Sequence, residues 1–185
     1  MNFMEEIEVK ILDVDRRKIE KKLRSMGAKK KFEGEIHAIF YDFPDDSVRK
    51  AKGTMRLRKA GDAAYLTYKR FVENTRAKIR QEYEVEVSDY EEMRDILKSL
   101  GLVEREKTCK LRTTYELDGA HFELDKHTDQ YSYVPDFLEI EAKDLKALYE
   151  YVRLLGYTKK DCKPWTILEI SRYYSRRYGK HAKKP

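Results

Sequence analysis

The chain has 185 residues with 40 basic and 34 acidic side chains, a net charge of +6 and 41% hydrophobic content. That length fits one domain with a substantial core; no 18-residue apolar run is present, which excludes a membrane-spanning helix. Cys109 and Cys162 lack CxxC spacing, which argues against a disulfide framework or a structural zinc site and points to the cytoplasm, and the acidic start at Glu5 and Glu6 does not resemble a secretory leader.

In chain order, residues 5–11 read E-E-I-E-V-K-I. The alternation predicts a strand over 3–11 with Glu6, Glu8 and Lys10 on one face and Ile7, Val9 and Ile11 on the other. A helix is predicted over 15–26, capped by Asp15, with Ile19, Leu23 and Met26 apolar and Gly27 as its stop. Strands follow over 35–43, 54–59, 64–71 and 79–88. A second helix over 89–100 has Ser88 and Glu91 as a capping box, a stripe of Met93, Ile96, Leu97 and Leu100, and a stop at Gly101. Strands over 109–117, 120–126 and 136–142 lead to a third helix over 144–155, which starts at Asp144 and stops at Gly156. A last helix covers 166–177. A single domain is expected over 1–175, with a basic tail over 176–185 that reads as a frayed end.

Three of the helices are preceded by the same pattern: EIEVK before the first, EVEV (Glu84–Val87) before the second and EIEAK (Glu139–Lys143) before the third. The unit of E-x-E strand, short turn, helix and glycine therefore occurs three times. Its intervals differ, so it is a duplicated α+β motif with extra hairpins and not a solenoid.

Nearly every predicted strand has one charged and one apolar face. Arg56 and Arg58 alternate with Met55 and Leu57; Lys69 shares its face with Thr67; Arg80, Glu82, Glu84 and Glu86 alternate with Ile79, Tyr83, Val85 and Val87. Lys110 and Arg112 flank Leu111, Glu123 and Asp125 flank Leu124, and Glu139 and Glu141 flank Ile140. An open antiparallel sheet with a solvated face would satisfy this pattern. However, carboxylates at i, i+2 stand about 7 Å apart, and three such pairs need compensating cations. Eight strands also close into a barrel, which would turn the charged faces inward and leave four amphipathic helices to cover the apolar outside. A lumen of carboxylates, suited to Mg²⁺ or Mn²⁺, and of Lys and Arg, suited to phosphate oxygens, describes a site for a metal-bound polyphosphate.

Glu6, Glu8 and Lys10 as E-x-E-x-K, R-L-R at Arg56–Arg58, L-T-Y-K ending at Lys69, R-x-E-x-E from Arg80, K-L-R-T-T-Y from Lys110, F-E-L-D ending at Asp125 and D-F-L-E-I-E from Asp136 together resemble the CYTH superfamily. These are the triphosphate tunnel metalloenzymes, including class IV adenylyl cyclases and thiamine triphosphatases. The resemblance implies an α+β fold built on a closed eight-stranded antiparallel tunnel with helices outside. It implies that Lys10, Arg56, Arg58, Lys69, Arg80, Lys110 and Arg112 hold the triphosphate. Glu6, Glu8, Glu84, Asp125, Glu139 and Glu141 would bind the divalent metal. Lys10 or Lys69 would serve proton transfer if neighbouring cations lowered its pKa. The segment Tyr131–Pro135, Y-S-Y-V-P, departs from the family's glycine-containing turn. Ser171, Arg172 and Tyr173 echo its C-terminal Ser-Tyr element only loosely.

The expected activity is metal-dependent hydrolysis of tripolyphosphate, thiamine triphosphate or ATP, with cyclisation of ATP to cyclic AMP and pyrophosphate as the alternative. His37, His121, His127 and His181 have no i, i+4 pairing, which argues against a zinc site, and no P-loop or nucleophile elbow is present. The 14 tyrosines and the basic tail raise an RNA- or polyphosphate-binding module as a non-enzymatic alternative. The basic residues interleave with acids instead of forming a patch, which argues against nucleic acid. A homodimer is allowed.

Overall fold

A computed structural model describes residues 4–74 and 77–178; the side chains of residues 4–6, 73, 74, 78 and 178 lie outside the description. The elements are β1 (Met4–Ile11), α1 (Arg16–Ser25), β2 (Lys29–Asp42), α2 (Ser47–Lys50), β3 (Gly53–Ala60), β4 (Ala63–Asn74), β5 (Lys78–Val87), α3 (Tyr90–Ser99), β6 (Val103–Leu117), β7 (Ala120–His127), β8 (Phe137–Ala142), α4 (Leu145–Leu154), β9 (Cys162–Lys163) and α5 (Ile167–Tyr178).

The strands are hydrogen-bonded in the order β5-β4-β3-β2-β6-β7-β8-β1, and β1 pairs back onto β5, so eight antiparallel strands close into a barrel. β5 covers only Met4–Glu8 of the β1 edge; where it ends, β9 takes over that edge at Lys10 and Ile11. The two-residue β9 was too short to give a sequence signal. β2 and β6 each begin about six residues earlier than alternation suggested, because the early part of each pairs with the C-terminal half of the other, Lys29 to Gly34 against Glu116 to Arg112 and Val103 to Thr108 against Asp42 to Ala38.

The three repeated units share their caps as well as their strands. Asp15, Asp89 and Asp144 accept hydrogen bonds from the backbone N–H of Lys18, Glu92 and Ala147. The second cap is therefore Asp89 and not Ser88: Asp89 directly precedes the helix, and its carboxylate reaches the third helical N–H. Each helix ends at a glycine of positive φ, Gly27, Gly101 or Gly156. The residue beyond it donates back to the helix: Ala28 to Leu23, Leu102 to Leu97 and Tyr157 to Val152. Together with the bond from each glycine N–H to Arg24, Lys98 or Arg153, this satisfies carbonyls that the helix end leaves orphaned.

The barrel is apolar outside. Val9, Ile11, Phe122, Leu124, Leu138 and Ile140 pack under Ile19 and Leu23 of α1 and Leu148 and Val152 of α4. Ile39, Tyr41 and Leu57 form a second cluster under Leu97 of α3. The stripe expected on α3 is only partly used, since Ile96 and Leu100 are exposed; α3 crosses the wall on Leu97, with Tyr90 and Met93 packed beside it.

The last helix differs from expectation in position. Ile170 and Tyr174 of α5 pack against Tyr131, Val134 and Phe137, and Phe137 shares the inward face of β8 with Glu139. α5 therefore sits over one end of the lumen and does not cover the outer wall. Its seat is the Tyr131–Pro135 segment: Tyr133 Oη lies 2.6 Å from Ser171 Oγ and 3.1 Å from Ser175 Oγ. The helix runs to Tyr178, into the expected tail, and residues 179–185 lie outside the described part. Among the described residues no helix is long and apolar enough to cross a membrane.

Candidate active site

Strand register decides which side chains meet inside. Lys10 is opposite Glu139 and Glu8 opposite Glu141; Arg112 is opposite Asp125 and Glu123 opposite Glu139; Arg56 is opposite Thr67, and Thr67 opposite Glu84. Because each pair shares a face, the charged rows of β1, β3, β4, β5, β6, β7 and β8 all line the lumen.

The first group centres on Lys10. Its ammonium donates to Glu139 at 2.8 Å and to Glu8 at 3.0 Å, and Arg80 donates to the other oxygen of Glu8 at 2.7 Å. Glu8 is only 2% exposed. Burial alone would push the Lys10 ammonium toward neutrality, but Glu139 and Glu8 outweigh it and raise its pKa. The lowered pKa that proton transfer by Lys10 required is therefore absent. Lys10 is a fixed cation between two carboxylates. Lys69 is held by Glu82 at 2.9 Å.

The second group is a wall of cations around Asp125, which has no solvent exposure. Arg112 donates from Nε and Nη2 to its two oxygens at 2.7 and 2.6 Å, and Lys110 donates at 2.7 Å. Arg112 also pairs with Glu123 and reaches Glu139 at 3.6 Å. Burial opposes ionisation of Asp125, yet Arg112 and Lys110 hold its carboxyl well below the usual range. The pKa of Lys110 is lowered by burial and by the adjacent Arg112. Asp125 was expected among metal ligands; both its oxygens here accept hydrogen bonds from Arg112 and Lys110.

The third group lies across the lumen. Arg58 donates to Glu84 at 2.8 Å, Thr67 donates to the same carboxylate at 2.7 Å, and Arg56 reaches Thr67 at 3.4 Å. Glu84, also an expected metal ligand, anchors this pair of arginines. Burial favours the neutral acid, but Arg58 and Thr67 pull its pKa down. The Nε atoms of Arg56 and Arg58 are buried and have no hydrogen-bond partner. Burial and the neighbouring Arg58 lower the pKa of Arg56.

Glu139 behaves oppositely to Asp125. Burial and the nearby Glu8 raise its pKa despite Lys10, so Lys10 only partly offsets the close approach of two buried carboxylates. Hard oxygen donors in that condition suit a small divalent cation, so the residues present fit the metal that the family fold implies. Glu141 sits further out, 3.8 Å from His121 and partly exposed. Glu6 lies opposite Arg80 on β1, and its side chain falls outside the described residues. Thr67, Glu82 and Glu123 share the inward rows as well; Glu82 and Glu123 stand inside the R-x-E-x-E and F-E-L-D stretches without a role assigned to them, and Thr67 carries no charge to mark it.

The CYTH domain model matches residues 4–152. A protein of Methanocaldococcus jannaschii, named as a proposed adenylate cyclase, is 27% identical over 179 residues, covering 90% of this chain and 98% of that protein. The solved structure of a Pyrococcus horikoshii protein is 28% identical with a TM-score of 0.74, covering 89% of this chain and 98% of that one. A Hippeastrum protein of solved structure, 14% identical, shares the fold with a TM-score of 0.60, covering 98% of this chain and 99% of its own.

Proposed function

The chain belongs to the CYTH domain family, a metal-dependent triphosphate-tunnel fold, and on that premise we propose that it hydrolyses a linear triphosphate. The observation that carries this reading is the pair of inward guanidiniums, Arg56 and Arg58, whose buried Nε groups lack an acceptor. A buried donor without a partner costs about 1–3 kcal/mol. A phosphate oxygen satisfies it, and the fork of N–H groups matches phosphate geometry. Lys69 and, on the facing wall, Lys110 and Arg112 supply further cations for a chain of three phosphates.

Glu8 and Glu139 would hold the divalent cation, Mg²⁺ or Mn²⁺, with Glu6 and Glu141 on the same rows. When bound, such an ion withdraws charge from phosphoryl oxygens and lowers the pKa of bound water. The chain's own residues do the positioning. Asp125 fixes Lys110 and Arg112 from behind, Glu84 fixes Arg56 and Arg58, and Lys10 and Arg80 hold Glu8 in place. Such preorganised charge is worth most where water is scarce. In hydrolysis water attacks the terminal phosphorus and inorganic phosphate leaves.

The second reading is cyclisation, favoured by the Methanocaldococcus relative's name. There the ribose 3′-hydroxyl of ATP attacks the α-phosphorus and pyrophosphate leaves. The Hippeastrum neighbour is described as having a dominant triphosphatase activity, which supports placing hydrolysis first. The test is incubation with Mg²⁺ or Mn²⁺ and, separately, tripolyphosphate, thiamine triphosphate and ATP. Phosphate release without cyclic AMP supports hydrolysis; cyclic AMP with equimolar pyrophosphate replaces it with cyclisation. No product from any of the three overturns both.

A further inference from the structure

Outside the lumen, one group of side chains has the donor set of a transition-metal site. Glu35 and His37 are two residues apart on β2, hence on one face, and His37 is the register partner of Cys109 on β6. The neighbouring Ala38 and Phe40 pair with Arg58 and Arg56, so they face the lumen, and Glu35 and His37 face away from it. A Glu35 carboxylate oxygen, a His37 ring nitrogen and the Cys109 sulfur all lie within 4.8 Å of one another. Glu35 Oε2 is 3.2 Å from His37 Nε2. Glu35 and His37 are exposed and Cys109 is half-buried.

We propose that Glu35, His37 and Cys109 form a three-ligand site for a zinc-class divalent ion on the outer wall of the barrel. Thiolate and imidazole select Zn²⁺ or its analogue Co²⁺ over Mg²⁺, which demands an octahedron of oxygens. Tetrahedral Zn–S and Zn–N bonds place ligand atoms roughly 3.3–3.8 Å apart. The observed spacing of up to 4.8 Å is wider than that, and binding would close it by side-chain rotation. Three protein ligands leave a fourth position open to water, the composition of a reactive and not a structural zinc site. Both strands belong to the closed barrel, so the backbone is already fixed. Lys59 on β3 pairs with His37 but is exposed, and its stem lets the ammonium turn into solvent. Binding exchanges the Cys109 thiol proton for the metal and releases that proton to water. This site is chemically separate from the oxygen-donor site between Glu8 and Glu139, so its failure would leave the triphosphatase reading untouched.

The test is a Co²⁺ titration of the intact chain in excess Mg²⁺, followed by absorption spectroscopy. One equivalent should bind with a thiolate-to-cobalt charge-transfer band in the near ultraviolet. Cys109→Ala should abolish the band, and His37→Asn should weaken Co²⁺ binding by more than the roughly 10–100-fold that outer-shell changes cost. Glu139→Gln should leave the band in place. Far-UV circular dichroism checks that the variants fold. Binding without a thiolate band, affinity unchanged in both Cys109→Ala and His37→Asn, or a band lost in Glu139→Gln would each overturn the proposal.

Discussion

Arg112 clasps Asp125 with two hydrogen bonds of 2.6 and 2.7 Å from the Nε–Nη2 edge of its guanidinium, and the carboxylate it clasps has no contact with solvent. Removing that charge leaves Arg112 and Lys110 beside each other in the wall, with Glu123 and Glu139 as the carboxylates still within reach of Arg112. Breaking a buried pair from one side typically costs about 3–5 kcal/mol. Asp125→Asn should therefore lower stability by that amount, measured by urea unfolding without substrate. A loss under about 1 kcal/mol would mean that water reaches the wall and relieves the unpaired cations.

Arg56 and Arg58 lie on the other side of the lumen with spare donors. Replacing Arg56 by Ala removes charge-assisted bonds worth about 1.5–3 kcal/mol, and KM for the triphosphate should rise roughly tenfold to a hundredfold with a smaller change in kcat. Arg56→Lys should recover only part of this, because an ammonium cannot reproduce the fork. Equal KM in all three proteins, from steady-state phosphate release, would place the triphosphate elsewhere.

The alternation of charged and apolar residues carried most of the lumen in the sequence itself. A strand has only two faces, so Glu8 and Lys10 had to lie together, as did Arg56 and Arg58. What alternation could not give was partnership. Asp125 and Glu139 looked equivalent as carboxylates on inward rows, yet register sets Asp125 against Arg112 and Glu139 beside Glu8, and their pKa values move in opposite directions. Glu35, His37 and Cys109 were hidden for a similar reason: two strands 72 residues apart in the chain bring His37 onto Cys109, and no local spacing records that. The position of α5 was illegible too, since its apolar stripe fits an outer wall as well as it fits the barrel's end.

The outer clamp between α3 and β6 gives a pH dependence of defined sign. Hydrogen bonds from Lys107 and Arg94 lower the Glu104 carboxyl to about 2. A carboxyl with a depressed folded-state pKa stabilises above its unfolded value, near 4.3, and that contribution disappears as pH falls toward 2. The pair lies partly exposed on the outer surface, where solvent screens it, so the effect is about 1 kcal/mol or less. Glu104→Gln should flatten this part of the stability–pH curve below pH 4.5 and leave the neutral region nearly parallel to wild type. Thermal unfolding across pH 2.5–6 measures it, and identical slopes would remove Glu104 from the account.

Glu139 and Glu141 occupy the same inward row of β8 but differ in environment. Glu139 is shared between Lys10 at 2.8 Å and Arg112 at 3.6 Å; Glu141 is near His121 at 3.8 Å and partly exposed. If Glu8 and Glu139 hold the metal, Glu139→Gln withdraws an anionic oxygen from an ion worth several kcal/mol to the transition state. Metal-dependent kcat should fall by about two orders of magnitude or more. Glu141→Gln, at the wetter end of the row, should lose less than about tenfold, and added Mn²⁺ should restore part of that loss by mass action. Steady-state rates over a metal titration separate the two variants. Equal losses would move the metal toward the barrel mouth, onto Glu141 and its neighbours, and full activity in Glu139→Gln would remove β8 from metal binding altogether.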